Sequence, residues 1–315
     1  MTTVATEARR NRLTRRKGGK DPQWVNGAEA RAGFGFVLPV LLVFALLRIV
    51  PTVLALFFSL TEYNLLTSPS WAGFSNYAKL FQDPLVLNSF KVTIIYTVGT
   101  VVPSVVISLA VAMLLDRKLH GMPLFRTSFF TPQVASWVAI SMIWVYMLNP
   151  GFGVVNWFLS FLGVDQIPWL SSTSWALPSL IMIGIWRNLG YGVIIYLAGL
   201  QGVPGHLSEA AMVDGASSWR RFRKITLPML APTTTFLLIM MAIISLQTFD
   251  QVFVLTGGGP ANSTSTVVFY VYQNAFQYLQ MGYASALAIV LFVLILILSY
   301  AGLRFSGQLR ATDKV

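Results

Sequence analysis

Few residues of this chain have the types and spacing that metal or nucleophilic chemistry requires. Its 315 residues include two histidines, His120 and His206, and no cysteine. The histidines lie far apart in the sequence, and neither has a second ligand at metal-binding spacing, so we interpret both as solvated loop residues. Without cysteine, neither disulfides nor thiol chemistry can contribute.

The run Gly257-Gly258-Gly259-Pro260 has the glycine content of a phosphate-binding loop, but no lysine follows it. Such a loop uses that lysine to reach the phosphates, and the chain also lacks the Gly-x-Ser-x-Gly and His-Glu-x-x-His patterns of hydrolases. The run is therefore predicted to be a turn whose glycines supply positive φ. We expect a chain that is not an enzyme, has no catalytic residue, and binds neither a metal nor any cofactor itself.

The polar segment 201–228 instead has the spacing of a binding element made of two short helices. For the first helix, Ser208 is a predicted N-cap, and Glu209 lies in the first turn, where the helix dipole favours an acid. Asp214 and Gly215 predict the end of this helix, with Gly215 as a left-handed C-cap.

A second helix is predicted to begin at Ser217 or Ser218 and to run to about Thr226. Apolar residues recur there at three-residue spacing, opposite a group of basic residues, which predicts a base that can lie against a membrane. The apolar positions are Trp219, Phe222 and Ile225, and the basic ones are Arg220, Arg221, Arg223 and Lys224. A helix that only rests at the membrane surface is the simpler alternative for this segment.

Composition places the flanking segments in a bilayer. The chain is 55% hydrophobic and 10% charged, with a mean hydropathy of +0.67, whereas soluble domains carry about 25% charged residues. A helical span needs about 20 apolar residues, and uncharged blocks of that length recur. We predict an all-α membrane protein with six spans, near 34–60, 90–115, 125–148, 174–200, 229–255 and 284–304.

The basic residues predict the orientation of these spans. Eighteen of the 22 lysines and arginines fall in four segments, which are the first 31 residues, 116–126, 201–228 and the end from 304. The positive-inside rule assigns these segments, and so both termini, to the cytoplasm. Topology and anionic lipid explain the net charge of +11 better than nucleic acid, which would need one continuous basic face. The expected organisation is a basic tail (1–33), a six-span domain (34–304) and a cytoplasmic tail (305–315).

Polar residues inside spans are costly and often mark a substrate pathway. Arg187 and Tyr191 are four residues apart, and Gln247 and Asp250 three apart, so each pair is predicted to share a helix face. The candidate pathway residues, including aromatic faces for a sugar, are Trp186, Arg187, Tyr191, Gln247, Phe249 and Asp250. The structural alternative is that Arg187 or Arg48 pairs with Asp250 or snorkels along a neighbouring helix.

The polar segment resembles the EAA signature of permease subunits in bacterial ABC importers. The matching residues are Glu209, Ala210, Ala211, Asp214, Gly215, Ala216, Phe222, Ile225, Leu227 and Pro228. The flanking residues 198–204 and 249–266 are similar to the carbohydrate-uptake branch of that family. The resemblance covers nearly all six spans and leaves out only the basic N-terminal tail.

This resemblance implies a MetI-like permease fold in the bacterial cytoplasmic membrane, with a pathway among spans three to six. It implies a docking elbow that contacts a separate ATP-binding subunit and is formed by Glu209, Ala210, Ala211, Asp214, Gly215 and Ala216. It also implies that Phe222, Ile225, Leu227 and Pro228 tie this elbow to the fifth span. The implied partners are a dimer of that subunit, which would hold ATP and magnesium, a second and usually different permease, and an extracytoplasmic substrate-binding protein. The substrate would be a sugar, an oligosaccharide or a glycerol phosphate or glycerophosphodiester, and the residues do not choose between neutral and anionic solutes.

Two other functions compete with this interpretation. An ion-gradient-driven secondary transporter would show internal repeats and an ion site, but no repeat relates residues 34–148 to 174–304 and Asp250 is the one acid well inside a predicted span. A membrane-anchored assembly factor would leave the intramembrane charges and the docking loop without a role.

Overall fold

The computed structural model describes residues 27–116 and 122–305, which are mostly helical. In chain order the helices are α1 (Gly27–Phe44), α2 (Val50–Ser59), α3 (Ser75–Gln82), α4 (Pro84–Leu115), α5 (Met122–Val134), α6 (Trp137–Met147), α7 (Val154–Ser160), α8 (Ala176–Gln201), α9 (Gly205–Val213), α10 (Ser218–Arg221), α11 (Leu227–Met229), α12 (Ala231–Leu246), α13 (Asp250–Leu255), α14 (Val267–Tyr272) and α15 (Met281–Phe305). Three π-helical turns are π1 (Ala45–Ile49), π2 (Phe222–Thr226) and π3 (Gln273–Gln277). Strands β1 (Thr61–Glu62) and β2 (Ser70–Trp71) form one antiparallel pair.

The chain divides after Leu54 into two units. In the first unit the described residues are helical from Gly27, earlier than the predicted start at 34, and π1 contains Arg48. The predicted basic tail otherwise lies outside the described residues, as do His120 and the C-terminal tail from 306. The second unit begins at Ala55 and contains every site discussed below.

Four described helices are long and apolar enough to cross a membrane, and two bent helix pairs raise that number to six if each pair is one span. The four are Arg31–Ser59, Pro84–Leu115, Ala176–Gln201 and Met281–Arg304. The predicted third span, 125–148, is a bent pair rather than one helix, since Thr127–Val134 and Trp137–Met147 meet at 105°. Pro132 lies just before this break, where a missing backbone N–H weakens the helix.

The predicted fifth span, 229–255, is also not one helix. Its first break is a 61° bend where Ser218–Met229 meets Ala231–Leu246, at the fully buried Leu230. Its second break, at residues 247–249, separates α12 from α13. Gln247 and Asp250 therefore do not share a helix face, because Gln247 lies in that break and Asp250 begins the helix after it.

Helices α4 and α8 pack closely because small residues face each other. A Cβ added at Gly184 would lie 2.8 Å from the Tyr96 hydroxyl, and one at Gly192 would overlap the Ser108 hydroxyl. The facing side of α4 carries small hydroxyl side chains that are buried, namely Thr97, Thr100, Ser104 and Ser108. Membrane helices associate through such contacts because small side chains let the backbones approach.

Asp83 joins the start of α4 to two other helices. Its Oδ1 accepts a hydrogen bond from the Leu85 backbone N–H at 2.8 Å and so caps α4. Its Oδ2 accepts hydrogen bonds from the hydroxyls of Tyr270 (2.8 Å, α14) and Tyr283 (2.6 Å, α15). Burial opposes ionisation, but these hydrogen bonds outweigh it and hold the pKa of the Asp83 carboxyl below its usual value.

The glycine run is a turn, as predicted. Gly257 and Gly258 have φ of +56° and +79°, the left-handed region that residues with a Cβ adopt at a cost. Gly258 also lies against the ring of Phe269, where a Cβ would clash. The turn is closed by Thr264, which donates its hydroxyl to the Gly259 carbonyl at 2.7 Å.

Candidate functional site

The two-helix elbow between α8 and α12 closes with the predicted glycine cap. Gly215 follows α9 with φ +74°. Its N–H donates to the Met212 carbonyl at 3.0 Å, and the Ala216 N–H donates to the Ala211 carbonyl at 2.9 Å. These two bonds form the Schellman arrangement, which satisfies the last carbonyls of a helix and requires a left-handed residue at this position.

The start of this first helix differs from the prediction. Helix α9 begins at Gly205 after Pro204, so Ser208 is not the N-cap and Glu209 lies beyond the first turn. Helix α8 has already ended at Gln201, and Pro204, with extended backbone (ψ 121°), is the N-cap from which the next helix begins. Ser208 instead accepts a hydrogen bond from the second half of the elbow.

The second half of the elbow begins at Ser217, whose hydroxyl accepts the Arg220 N–H at 3.3 Å, as one of the two predicted caps. Arg221 then holds the two halves together. Its Nη1 donates to the Ser208 hydroxyl at 3.0 Å, and its Nη2 donates to the Ser218 hydroxyl at 3.1 Å. The sequence pattern predicts Arg221 only as part of the basic face, because its role as a cross-brace depends on the relative placement of both helices.

Exposed small and apolar residues gather at the tip of the elbow. Val213 is 89% exposed and Met212 49% exposed, and a Cβ at Gly215 would meet no heavy atom within 4 Å. The other matched residues of the first half are also exposed or half-buried, namely Glu209, Ala210, Ala211, Asp214 and Ala216. The tip of the elbow therefore presents small and apolar side chains to its surroundings.

The other matched residues continue directly into the membrane helix. Phe222 and Ile225 are half-buried and lie in π2, and Leu227 and Pro228 lie in α11. Helix α11 leads through the buried Leu230 into α12. The elbow and α12 are thus joined by one helical stretch that bends by 61° at Leu230.

The break between α12 and α13 opens a cavity of about 240 Å³. Three of the predicted pathway residues, Gln247, Phe249 and Asp250, line it. The remaining lining residues are Tyr96, Trp137, Asn188, Ile244, Ser245, Thr248 and Gln251. The cavity thus combines aromatic rings with amide, hydroxyl and carboxylate groups, which can contact and orient a small polar ligand.

Gln251 fixes this cavity but was not among the predicted residues. It is 1% exposed, accepts a hydrogen bond from the Tyr96 hydroxyl at 2.8 Å and donates to the Leu180 carbonyl at 2.6 Å. These bonds join α13 to α4 and α8. The sequence signal that indicates Gln251 is an amide side chain next to Asp250 in an otherwise apolar stretch.

Arg187 belongs to α8, and its side chain contacts the break between α5 and α6. Its guanidinium stands 4.0 Å over the ring of Trp137 and donates to the carbonyls of Pro132 (3.4 Å) and Ala135 (3.1 Å). It makes no ion pair with Asp250 within 4.0 Å in the described part of the chain. A guanidinium suits this position because it can stack on an aromatic ring and donate to two carbonyls at once.

The two other predicted pathway residues lie away from the cavity lining. Trp186 packs edge-to-face on Trp144 at 5.5 Å and lines a separate cavity of about 160 Å³ with residues of α5. Tyr191 packs against a core cluster formed by α4, α8 and α12. The structure therefore brings together three of the six predicted residues.

Comparison with known proteins identifies relatives over most of the chain. Residues 92–305 match the family described as "Binding-protein-dependent transport system inner membrane component". A probable ABC transporter permease protein, YesP of Bacillus subtilis, is 37% identical over 84% of this chain and 86% of its own length. The sulfoquinovosyl glycerol transport system permease protein SmoG of Agrobacterium fabrum is 36% identical over 82% of both chains. The sn-glycerol-3-phosphate transport system permease protein UgpA of the same organism is 34% identical over 76% of this chain and 81% of its own.

A solved structure shares the fold. A chain of the bacterial ABC transporter involved in the import of the acidic polysaccharide alginate superposes with a TM-score of 0.79. The match covers 91% of the present chain and 99% of that chain, at 24% identity. At this identity the comparison shows the fold alone.

Proposed function

This chain belongs to the family of binding-protein-dependent transport system inner membrane components, and from that membership we propose that it forms half of the pathway of an importer for a sugar or related hydroxyl-rich solute. The family and the ABC permease relatives support an ABC importer over an ion-gradient-driven secondary transporter. The observation that carries the proposal is the match over residues 92–305, which includes both the elbow and the membrane cavity.

In this proposal the elbow receives the energy of ATP from a separate ATPase subunit. Residues Glu209 to Ala216 form the docking tip, and the Arg221 brace makes the two halves of the elbow move together. Because α10, π2 and α11 run on into α12, closure of an ATPase dimer would tilt α12 and change access to the cavity at its far end. The positive-inside rule supports a cytoplasmic position for the elbow and both termini.

The assembly proposed for this chain has further subunits. A second, homologous permease would complete the pathway, and it is expected to be a different chain. An extracytoplasmic binding protein would deliver the solute. Support for the latter comes from the family's description as binding-protein-dependent.

The cavity favours a neutral solute over an anion. Asp250 contributes a carboxylate to the lining, whereas no lysine or arginine is among the described lining residues. The nearby guanidinium of Arg187 is engaged by Trp137 and two carbonyls. Carboxylate, amide and hydroxyl groups accept hydrogen bonds from sugar hydroxyls, and aromatic rings pack against the C–H faces of sugars.

The proposal is tested by purifying the full-length chain in mild detergent with whatever subunits accompany it. An ATPase subunit and a second permease should copurify in stoichiometric amounts. In proteoliposomes loaded with ATP, uptake of neutral oligosaccharides from the binding protein should require ATP hydrolysis and resist ionophores. Uptake that collapses with an ionophore and persists without ATP would refute an ABC importer.

A further inference from the structure

An apolar groove lies between the second half of the elbow and the C-terminal end of α4. It has a volume of about 580 Å³, within the range of about 300–1,000 Å³ that small-molecule sites occupy. One wall is formed by α4 and the other by the second half of the elbow. The lining residues are Val106, Leu109, Ala110, Met113 and Leu114 of α4, and Ser218, Trp219 and Phe222 of the elbow.

The groove walls are open rather than packed into the core. Val106 is 62% exposed, Leu114 58% and Trp219 68%. The α4 wall runs over the nine residues from Val106 to Leu114, so it extends over about 14 Å near one end of a candidate span. That length corresponds to one leaflet of a bilayer whose hydrocarbon core is about 30 Å thick.

Three basic side chains lie on the helical stretch that carries the two groove aromatics, and Arg223, four residues after Trp219, shares its helix face. Arg220 follows Trp219, Arg223 follows Phe222, and Lys224 comes next, and all three are exposed. Among the described residues none of the three has a carboxylate within 4.0 Å. The groove therefore joins an apolar wall to unneutralised positive charge, and the acids of the elbow, Glu209 and Asp214, belong to its other half.

We propose that this groove binds one anionic phospholipid, with an acyl chain along α4 and Trp219 and the phosphate at Arg220, Arg223 and Lys224. Apolar surface explains only the acyl chain, whereas the adjacent cations select an anionic headgroup. Trp219 has the amphipathic ring that is typical of the membrane interface. The assignment of the groove to the inner leaflet rests on the proposed cytoplasmic position of the elbow, but lipid selectivity does not.

A lipid in this groove would contact a membrane helix and the elbow at the same time. The elbow wall, Trp219 and Phe222, lies on the same helical stretch that leads into α12. Occupancy would thus stabilise the contact between the elbow base and α4. The groove is distinct from the exposed tip around Val213 and Gly215, so a lipid and a docked subunit can be present together.

The test measures quenching of Trp219 fluorescence by lipids with brominated acyl chains in nanodiscs. The full-length chain, with its copurifying subunits, is placed in brominated phosphatidylglycerol or brominated phosphatidylcholine at equal mole fraction. The difference between wild type and Trp219→Phe gives the signal of this one tryptophan. We expect half-quenching at a lower fraction of the anionic lipid, by about fivefold for each basic residue that contacts the phosphate.

Matched variants separate a site from general lipid contact. Arg223→Gln should lose about fivefold of the preference for phosphatidylglycerol, and Lys91→Gln, an exposed cation at the other end of α4, should lose none. Ala110→Phe should fill the groove and reduce quenching by both lipids, whereas Val102→Phe, on an exposed part of α4 outside the groove, should not.

Three results would overturn the proposal. Equal quenching by the two lipids would show ordinary bilayer contact without a site. Preference that survives the loss of Arg220, Arg223 and Lys224 together would place the selectivity elsewhere. Absence of any quenching at Trp219 would show that a protein subunit covers the groove. None of these results depends on transport, so they are distinguishable from a failure of the proposed importer function.

Discussion

Replacing Gly215 by glutamate tests the elbow at the residue that joins its two halves. Gly215 has φ +74°, and an added Cβ meets no heavy atom within 4 Å. The cost to the fold is therefore that of the left-handed conformation alone, about 1–2 kcal/mol for a residue with a Cβ. We expect Gly215→Glu to remain folded in the membrane with a somewhat lower melting temperature.

The effect on docking should be much larger than the effect on folding. The tip is formed by small residues that allow close approach, and the new side chain would place a carboxylate beside that of Asp214 in a covered contact. An unpaired or like charge in an interface costs several kcal/mol. A cost of about 3 kcal/mol corresponds to roughly a 100-fold weaker association with the ATPase subunit.

The assay is copurification of the ATPase subunit, together with ATP-driven uptake in proteoliposomes. Gly215→Asn is the matched control, because asparagine tolerates the left-handed conformation and adds no charge. We expect this control to retain the subunit and uptake, and Gly215→Glu to lose both. Full uptake by Gly215→Glu would refute docking at this tip, and equal loss in both variants would show that backbone geometry, rather than bulk and charge, is responsible.

Three further changes test the cavity and its supports. Asp250→Ala should lower uptake while basal ATP hydrolysis of the assembled complex stays constant, and unchanged substrate-stimulated uptake would make Asp250 a structural residue. Arg187→Lys should lower the free energy of unfolding by about 1–2 kcal/mol, because an ammonium cannot both stack on Trp137 and reach two carbonyls. Arg304→Lys, at an exposed position, is the control. A melting temperature of Arg187→Lys no lower than that of the control would contradict this supporting role. Asp83→Asn should lower the melting temperature at pH values above 3.8, the usual pKa of this carboxyl group. Because the folded-state pKa of Asp83 is lowered, its contribution is complete above that value and is lost as the pH falls through the folded pKa. The difference between wild type and variant should therefore shrink in acid, and a difference that does not change with pH would exclude the carboxylate as its source.

The parts of the fold that could be predicted are those set by local rules. Long apolar runs locate the four candidate spans that are not bent pairs, since any helix that crosses hydrocarbon must be mostly apolar over about 20 residues. Gly215 ends α9 because the chain must turn left-handed there, and glycine does this without a Cβ penalty. Both conclusions depend only on residues close in the sequence.

The breaks in the third and fifth spans could not be predicted in this way. A broken helix frees carbonyl and N–H groups, which the membrane interior cannot satisfy, so a run of apolar residues is expected to stay continuous. At the break in the third span, the freed carbonyls of Pro132 and Ala135 accept hydrogen bonds from Arg187 of α8, which is more than 50 residues away in the sequence. Such compensation depends on tertiary placement, which also explains why Arg187 looked like a pathway residue rather than a support.

The two breaks of the fifth span lie at the two ends of α12, between the elbow and the cavity. The stretch from Ser218 to Leu246 is interrupted only at Leu230, which is fully buried in a core cluster shared with α4 and α8. A lever of this kind needs a fixed point, and a buried residue at the 61° bend provides one because its neighbours are close-packed. At the far end, Gln251 anchors α13 to α4 and α8 through two hydrogen bonds, so motion of α12 would be absorbed at residues 247–249. Gln247 and Phe249, which line the cavity, lie in that segment. In the proposed importer, therefore, the residues that change position most when the elbow moves are the ones that face the solute.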